Sequence, residues 1–191
     1  MVHTLHILTA ATIAVWVAAE FVLQLRQYFQ GSAARVTEWR SFVVFALLTY
    51  AGWALAEVAR RYLPQFTIPH PAVVMSVGLV VAWCGIAFRL WAIRSLGRFF
   101  RGVVHIQEGH RVVRSGPYRW LRHPSYTGGL LGVLGLSVGF GNAVSALVLF
   151  GAILAAMLYR IRAEERVLFA ELGDDYAEYA ARTPRLVPGV W

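Results

Sequence analysis

No lysine occurs in the 191-residue chain; all eighteen basic residues are arginine. Acidic residues are scarce as well, ten in all, and charged residues make up only 15%. Water-soluble domains usually carry about 25% charged and about 45–50% apolar residues. Here 58% of the residues are hydrophobic and the mean hydropathy is +0.56. A single domain of this size still exposes roughly a third of its chain surface, so the apolar excess cannot all be buried. A soluble globule and a disordered chain are both excluded. The one cysteine, Cys84, lies inside an apolar run, which excludes a disulfide framework and a thiolate metal site. Gly139-Phe140-Gly141 lacks the third glycine of a nucleotide loop, and no soluble segment is long enough for a dinucleotide-binding domain. Repeats and low-complexity tracts are missing too. The N-terminal apolar stretch lacks a basic n-region and a small-residue cleavage site, so no cleavable signal peptide is expected.

What is present is a series of apolar runs near the length of about 20 residues that a spanning helix needs. Residues 4–25, 42–59 and 72–93 form three such runs, and 126–140 and 143–159 form two shorter ones. The last two are joined by the tight turn Gly139-Phe140-Gly141-Asn142, and Pro124 favours a helix start before the fourth. The expected fold class is all-α: one integral-membrane domain over 1–191 with about five transmembrane helices. Three N-terminal spans occupy 1–93, and the chemistry lies in 94–191. Gly128-x-x-x-Gly132 and Gly135-x-x-x-Gly139 read as close-packing faces.

The net charge of +8 comes from arginines that cluster at the span ends. Such an excess in a membrane protein points to loops facing anionic lipid before it points to nucleic acid. With the N-terminus outside, sixteen arginines fall on the cytoplasmic side, and Arg60 and Arg61 fall opposite. The C-terminus is then cytoplasmic, and the long loop after the third span shares a face with the tail. The inner membrane of a prokaryotic cell is the expected location.

Two constellations meet on that face. Gly116-Pro117-Tyr118-Arg119-Trp120-Leu121-Arg122-His123-Pro124-Ser125-Tyr126 crowds the entrance to the fourth span. One reading is an interfacial belt, with Tyr and Trp at headgroup level and snorkelling Arg. The other is a ligand site, because a helix starting at Pro124 leaves first-turn N–H groups free for an anionic or polar group. His123 and Tyr126 flank that start. At the end of the fifth span, Arg160 and Glu164 are four residues apart and share a helix face. A solvated ion-pair ladder is one reading. A carboxylate clamp at the membrane boundary is the other. His105 and His110 match no common zinc spacing and read as ordinary hydrogen-bonding groups, so no metal is expected.

The run Gly116-Pro117-Tyr118-x-x-x-Arg122-His123-Pro124-x-Tyr126-x-Gly128 resembles the signature of integral-membrane methyltransferases. So do Glu164-Glu165-x-x-Leu168, Gly173-Asp174-Asp175-Tyr176-x-x-Tyr179 and Arg182-Thr183-Pro184. Together they resemble the isoprenylcysteine carboxyl methyltransferase family, which is related to phospholipid N-methyltransferases, over about residues 98–191. The resemblance implies S-adenosyl-L-methionine as methyl donor, leaving as S-adenosyl-L-homocysteine, in a pocket on the cytoplasmic side of the C-terminal half. It implies cofactor contacts at Tyr118, His123, Pro124, Ser125 and Tyr126, and at His110, Arg111, Val112 and Val113. Glu164 matches the acidic cofactor contact and Arg160 the arginine that meets the substrate carboxylate. His105 falls where eukaryotic members carry a glutamine.

The implied reaction is carboxyl O-methylation of an isoprenylcysteine or a similar lipophilic acceptor entering from the bilayer. Two alternatives remain at this point. One is N- or S-methylation of a phospholipid amine or small thiol, with His123 or Glu164 as proton acceptor. The other is a non-catalytic membrane scaffold.

Overall fold

The computed structural model describes residues 1–29, 34–100, 104–107 and 111–189; side chains are described outside 26–38, 98 and 101–110. Among the described residues, five α-helices fall at the five expected positions: α1 (Val2–Phe29), α2 (Arg40–Tyr62), α3 (Pro71–Leu96), α4 (Pro124–Ser137) and α5 (Ala143–Arg182). Four of them, all but α4, are long and apolar enough to cross a membrane. Helix α4 has 14 residues. At about 1.5 Å per residue it cannot bridge a hydrocarbon core of about 30 Å.

Two short strands accompany the helices of the expected all-α fold. Ala34–Glu38 (β1) and Val104–Gln107 (β2) pair antiparallel, with Thr37 opposite His105. Their alternating Ala-x-Val and Val-x-Ile patterns have the period of a strand. The pairing ties the α1–α2 connection to the segment after α3, so both lie at one end of the bundle. At the other end, the Ile68 amide donates to the Gly141 carbonyl at 2.9 Å, closing the α2–α3 connection on the α4–α5 turn. Asn142 caps α5 by accepting from the Ser145 amide at 3.1 Å and donates to the Leu63 carbonyl at 2.8 Å.

Small residues set the helix packing. Helices α3 and α4 meet backbone to backbone through Gly78 and Gly85 on one side and Gly128, Gly132 and Gly135 on the other. A Cβ on Gly128 would lie 2.6 Å from the Arg89 amide nitrogen, and one on Gly135 would collide with the Gly78 carbonyl oxygen. The glycine spacing on the fourth span is thus a close-packing face, as expected. Helices α2 and α5 pair through Gly52, which faces Ala152, and through the Ser145 hydroxyl, which donates to the Ala56 carbonyl at 2.6 Å. Helix α1 is held more lightly: Trp16 fits the notch at Gly132, and Thr9 covers Gly139.

Gly135→Ala tests the α3–α4 contact. The neighbour is backbone, so no rotamer change relieves the clash, and overpacking costs about 1–3 kcal/mol. The thermal midpoint in detergent is expected to fall by about 2–4 °C per kcal/mol. Gly151→Ala is the control, because nothing lies within 4 Å of its added Cβ. Equal midpoints for both variants would refute the contact.

Candidate active site

The chain enters α4 through the 3-10 turn Gly116–Arg119, which buries Tyr118. Pro124 takes the first helical position and is fully buried. The C-terminal tail closes over this entrance. The amides of Arg122 and His123 donate to the carbonyls of Pro184 and Arg185 at 2.8 and 3.0 Å, and the Thr127 hydroxyl donates to the Leu186 carbonyl at 2.9 Å. The tail can reach back because α5 breaks at Gly173, where φ is +53°, a value glycine tolerates. Beyond that break, the Tyr179 hydroxyl donates to the Tyr118 carbonyl at 2.6 Å. Burial, followed by the nearby Glu164 carboxylate, pushes the Tyr118 phenol well above its usual range.

Arg160, Tyr126 and Glu164 form a directional relay. The Arg160 Nε–H donates to Tyr126 Oη at 2.7 Å, and the phenol donates to Glu164 Oε2 at 2.7 Å. Arg160 is only 6% exposed. A solvated ladder does not bury its cation, so that reading fails for Arg160. The bridging phenol comes from α4, and this tertiary contact adds to the spacing of Arg160 and Glu164 on α5. Elsewhere in the same motif, Arg119 stacks over the exposed Trp120 at 4.0 Å, and Trp120 meets Trp91 edge-on.

Glu165, not among the expected site residues, is the buried hub of the entrance. It lies 2.9 Å from Arg122 Nη1 and 3.2 Å from His123 Nε2 through one oxygen, and 2.8 Å from Arg185 Nε through the other. His123 is therefore turned toward Glu165, its ring 5.7 Å from that of Tyr126. This engagement fits a positioning role for His123 better than a free base. Two atoms of this region, Arg122 Nε and Tyr176 Oη, are buried and find no hydrogen-bond partner among the described residues. Unmet donors in this region fit a ligand rich in acceptors.

On the other side of the relay lies a cavity of about 450 Å³, bounded by all five helices. Phe42, Phe45, Trp53, Leu149 and Ile153 form its apolar part, and Tyr126 and Arg160 its polar end. The same end holds a second guanidinium. Arg89 of α3 pairs with Glu20 of α1 through Nε and through Nη2 at 2.9 Å, and its Nη1 donates to the Ser125 carbonyl at 3.0 Å. Arg89 lies within the third apolar run, as its place in 72–93 implies, although the charge count places it among the cytoplasmic-side arginines. It belongs to an ion pair inside a helix layer.

The remaining expected contacts are more scattered. Arg111 is exposed, and Val112 and Val113 are half-buried in the extended segment before the 3-10 turn. Ser125 is buried and lines the cavity. The backbone of His105 lies in β2, its side chain is outside the described residues, and so is all of His110.

A profile of the isoprenylcysteine carboxyl methyltransferase family matches residues 76–170, which carry Arg89, His123, Tyr126, Arg160, Glu164 and Glu165. The chain belongs to this family. It is an integral-membrane protein, as the apolar helices require. Protein-S-isoprenylcysteine O-methyltransferase B of Arabidopsis thaliana is 35% identical over 119 residues, 61% of this chain and 60% of the relative. The Xenopus laevis protein-S-isoprenylcysteine O-methyltransferase is 33% identical over 59% of this chain and 40% of the relative. A solved structure of the eukaryotic intramembrane Ras methyltransferase of the family superposes with a TM-score of 0.59 at 25% identity. That match covers 76% of this chain and 52% of the other. The family member described here therefore spans about 60% or less of the length of these relatives, which are eukaryotic and lend the expected prokaryotic location no support.

Proposed function

We propose that this family member is an S-adenosylmethionine-dependent carboxyl O-methyltransferase acting on an isoprenylcysteine or a similar lipophilic acid. One observation carries the reading: a buried guanidinium, Arg160, stands at the polar end of a mostly apolar cavity and is hydrogen-bonded through Tyr126 to Glu164. The apolar part suits a hydrocarbon chain and the guanidinium suits its carboxylate.

When bound, S-adenosylmethionine supplies a methyl group on a positive sulfonium, so that an acceptor oxygen gains the methyl and a neutral thioether leaves. Tyr118, His123, Tyr126 and Glu164 would hold it, with Arg122 and Tyr176 offering their unmet donors. Glu164 favours the positive cofactor over the neutral product. Arg160 orients the acceptor oxygen, and the cavity walls exclude water from it. Orientation and desolvation account for several kcal/mol of rate in such displacements. A carboxylate nucleophile carries no proton to remove, so no general base is needed.

The test is incubation of purified protein with labelled S-adenosylmethionine and a panel of prenylcysteines, aminophospholipids and thiols. Alkali-labile label on the prenylcysteines is expected. Stable label on amines or thiols would replace the carboxyl reading, and no label beside normal cofactor binding would remove catalysis on this panel.

For orientation, the N-terminus lies outside and the C-terminus in the cytoplasm. The strand pair, the α4 entrance and the tail occupy the arginine-rich side. Leaving Arg89 out of the count keeps that asymmetry, because Arg60 and Arg61, paired with Glu57, are the two arginines expected on the opposite side. Reporter fusions at residue 65 and at the C-terminus should read opposite sides; one side for both would refute the topology.

A further inference from the structure

The Glu20–Arg89 pair plays no part in the reaction as derived so far, yet it borders the same cavity as Arg160. Charged groups at this depth are costly to keep and call for a reason. Two guanidiniums at one polar end pose a problem for an enzyme whose acceptor is a carboxylate. Either could dock it, but of the two it is Arg160 that is hydrogen-bonded through Tyr126 to Glu164. Glu20 removes the ambiguity. Its two oxygens take Arg89 Nε and Nη2, Trp16 Nε1 donates to Oε1 at 3.1 Å and fixes the carboxylate, and the Ser125 carbonyl takes Nη1. The Arg89 fork, which would otherwise match a carboxylate at two points, is filled.

We infer that Glu20 is a specificity-determining residue: it masks Arg89 so that the acceptor carboxylate is directed to Arg160. The inference rests on the carboxyl-methyltransferase reading above. A simpler role, a tether between α1 and α3, predicts different numbers. Loss of a tether loosens the cavity wall and weakens acceptor binding. Loss of a mask exposes a second carboxylate fork, so the acceptor binds more tightly but in an unproductive place.

The experiment compares wild type, Glu20→Gln, and the double variant Glu20→Gln/Arg89→Met, using a prenylcysteine free acid and its amide. In Glu20→Gln, KM and the equilibrium Kd of the free acid should fall about tenfold, the size expected of a new charge-assisted contact. Turnover should fall by a similar factor, and amide binding should not change. The double variant has neither mask nor decoy, so its turnover should return to within about threefold of wild type. A raised KM in Glu20→Gln, or no recovery in the double variant, overturns the mask and leaves the tether. If Glu20→Gln gives no folded protein, Glu20→Asp keeps the charge but draws the carboxylate back by one methylene. The same changes at smaller size are then expected, and unchanged KM and turnover would overturn the inference. Failure of the underlying reading is separate: wild type itself would not methylate the free acid.

Discussion

Arg160→Lys is expected to lower turnover about 10²-fold with a carboxylate acceptor at saturating cofactor, the size of effect that small misplacements of reacting groups produce. Cofactor affinity and folded yield should stay near wild type. Lysine keeps the positive charge but replaces a planar fork by a single point donor. Arg160 already directs its Nε–H at Tyr126, so the fork is oriented before an acceptor arrives. An ammonium can satisfy either the phenol or the acceptor with good geometry, and the relay to Glu164 loses its fixed direction. If Arg160 were an exposed partner of Glu164, lysine would cost less than about 1 kcal/mol and turnover would barely change. Its burial argues against that outcome. Near-normal turnover in Arg160→Lys would sink the clamp and shift weight toward an acceptor with no carboxylate.

The helices were legible because each is an apolar run, with Pro124 at the start of α4 and the turn Gly139–Asn142 before α5. The strand pair was not, since two alternating segments of four or five residues sit in arginine-rich connections and gain meaning only from each other. Among site residues, Arg160 and Glu164 were readable from helical spacing and Tyr126 from its place beside Pro124. Glu165 was hidden by its neighbour. Adjacent helix residues point about 100° apart, and which of two glutamates faces the α4 entrance depends on the rotation of α5. Its partners Arg122 and Arg185 lie far away in sequence, so no local pattern announces the cluster. Glu20 and Arg89 left a fainter trace. Each is a charge within a helical run, a feature that calls for a partner at membrane depth, but the 69 residues between them conceal which one.

Glu165→Gln is expected to disable cofactor binding and to destabilise the C-terminal half, whereas Glu164→Gln should fold normally. The two glutamates differ in what depends on them. Glu165 is 4% exposed and neutralises Arg122 and Arg185 while holding His123. Removing one partner of a buried charge cluster typically costs about 3–5 kcal/mol, because the remaining charges keep their desolvation penalty. Arg185 is partly exposed and recovers some of that from water, so the lower end of the range applies. The tail carries Arg185 beside the carbonyls that accept from the Arg122 and His123 amides, so loosening the ion pair loosens that cover as well. Cofactor affinity in Glu165→Gln should then fall about 10²-fold, the equivalent of about 3 kcal/mol. The thermal midpoint should drop, and limited proteolysis should cut after Gly173. Glu164 instead accepts from the neutral Tyr126 phenol and is half-buried. Its glutamine variant should keep the midpoint and lose about tenfold in cofactor affinity, through a charge no longer facing the sulfonium. A stable Glu165→Gln beside an unstable Glu164→Gln would reverse the two roles, making the relay the structural element and the hub the binding one.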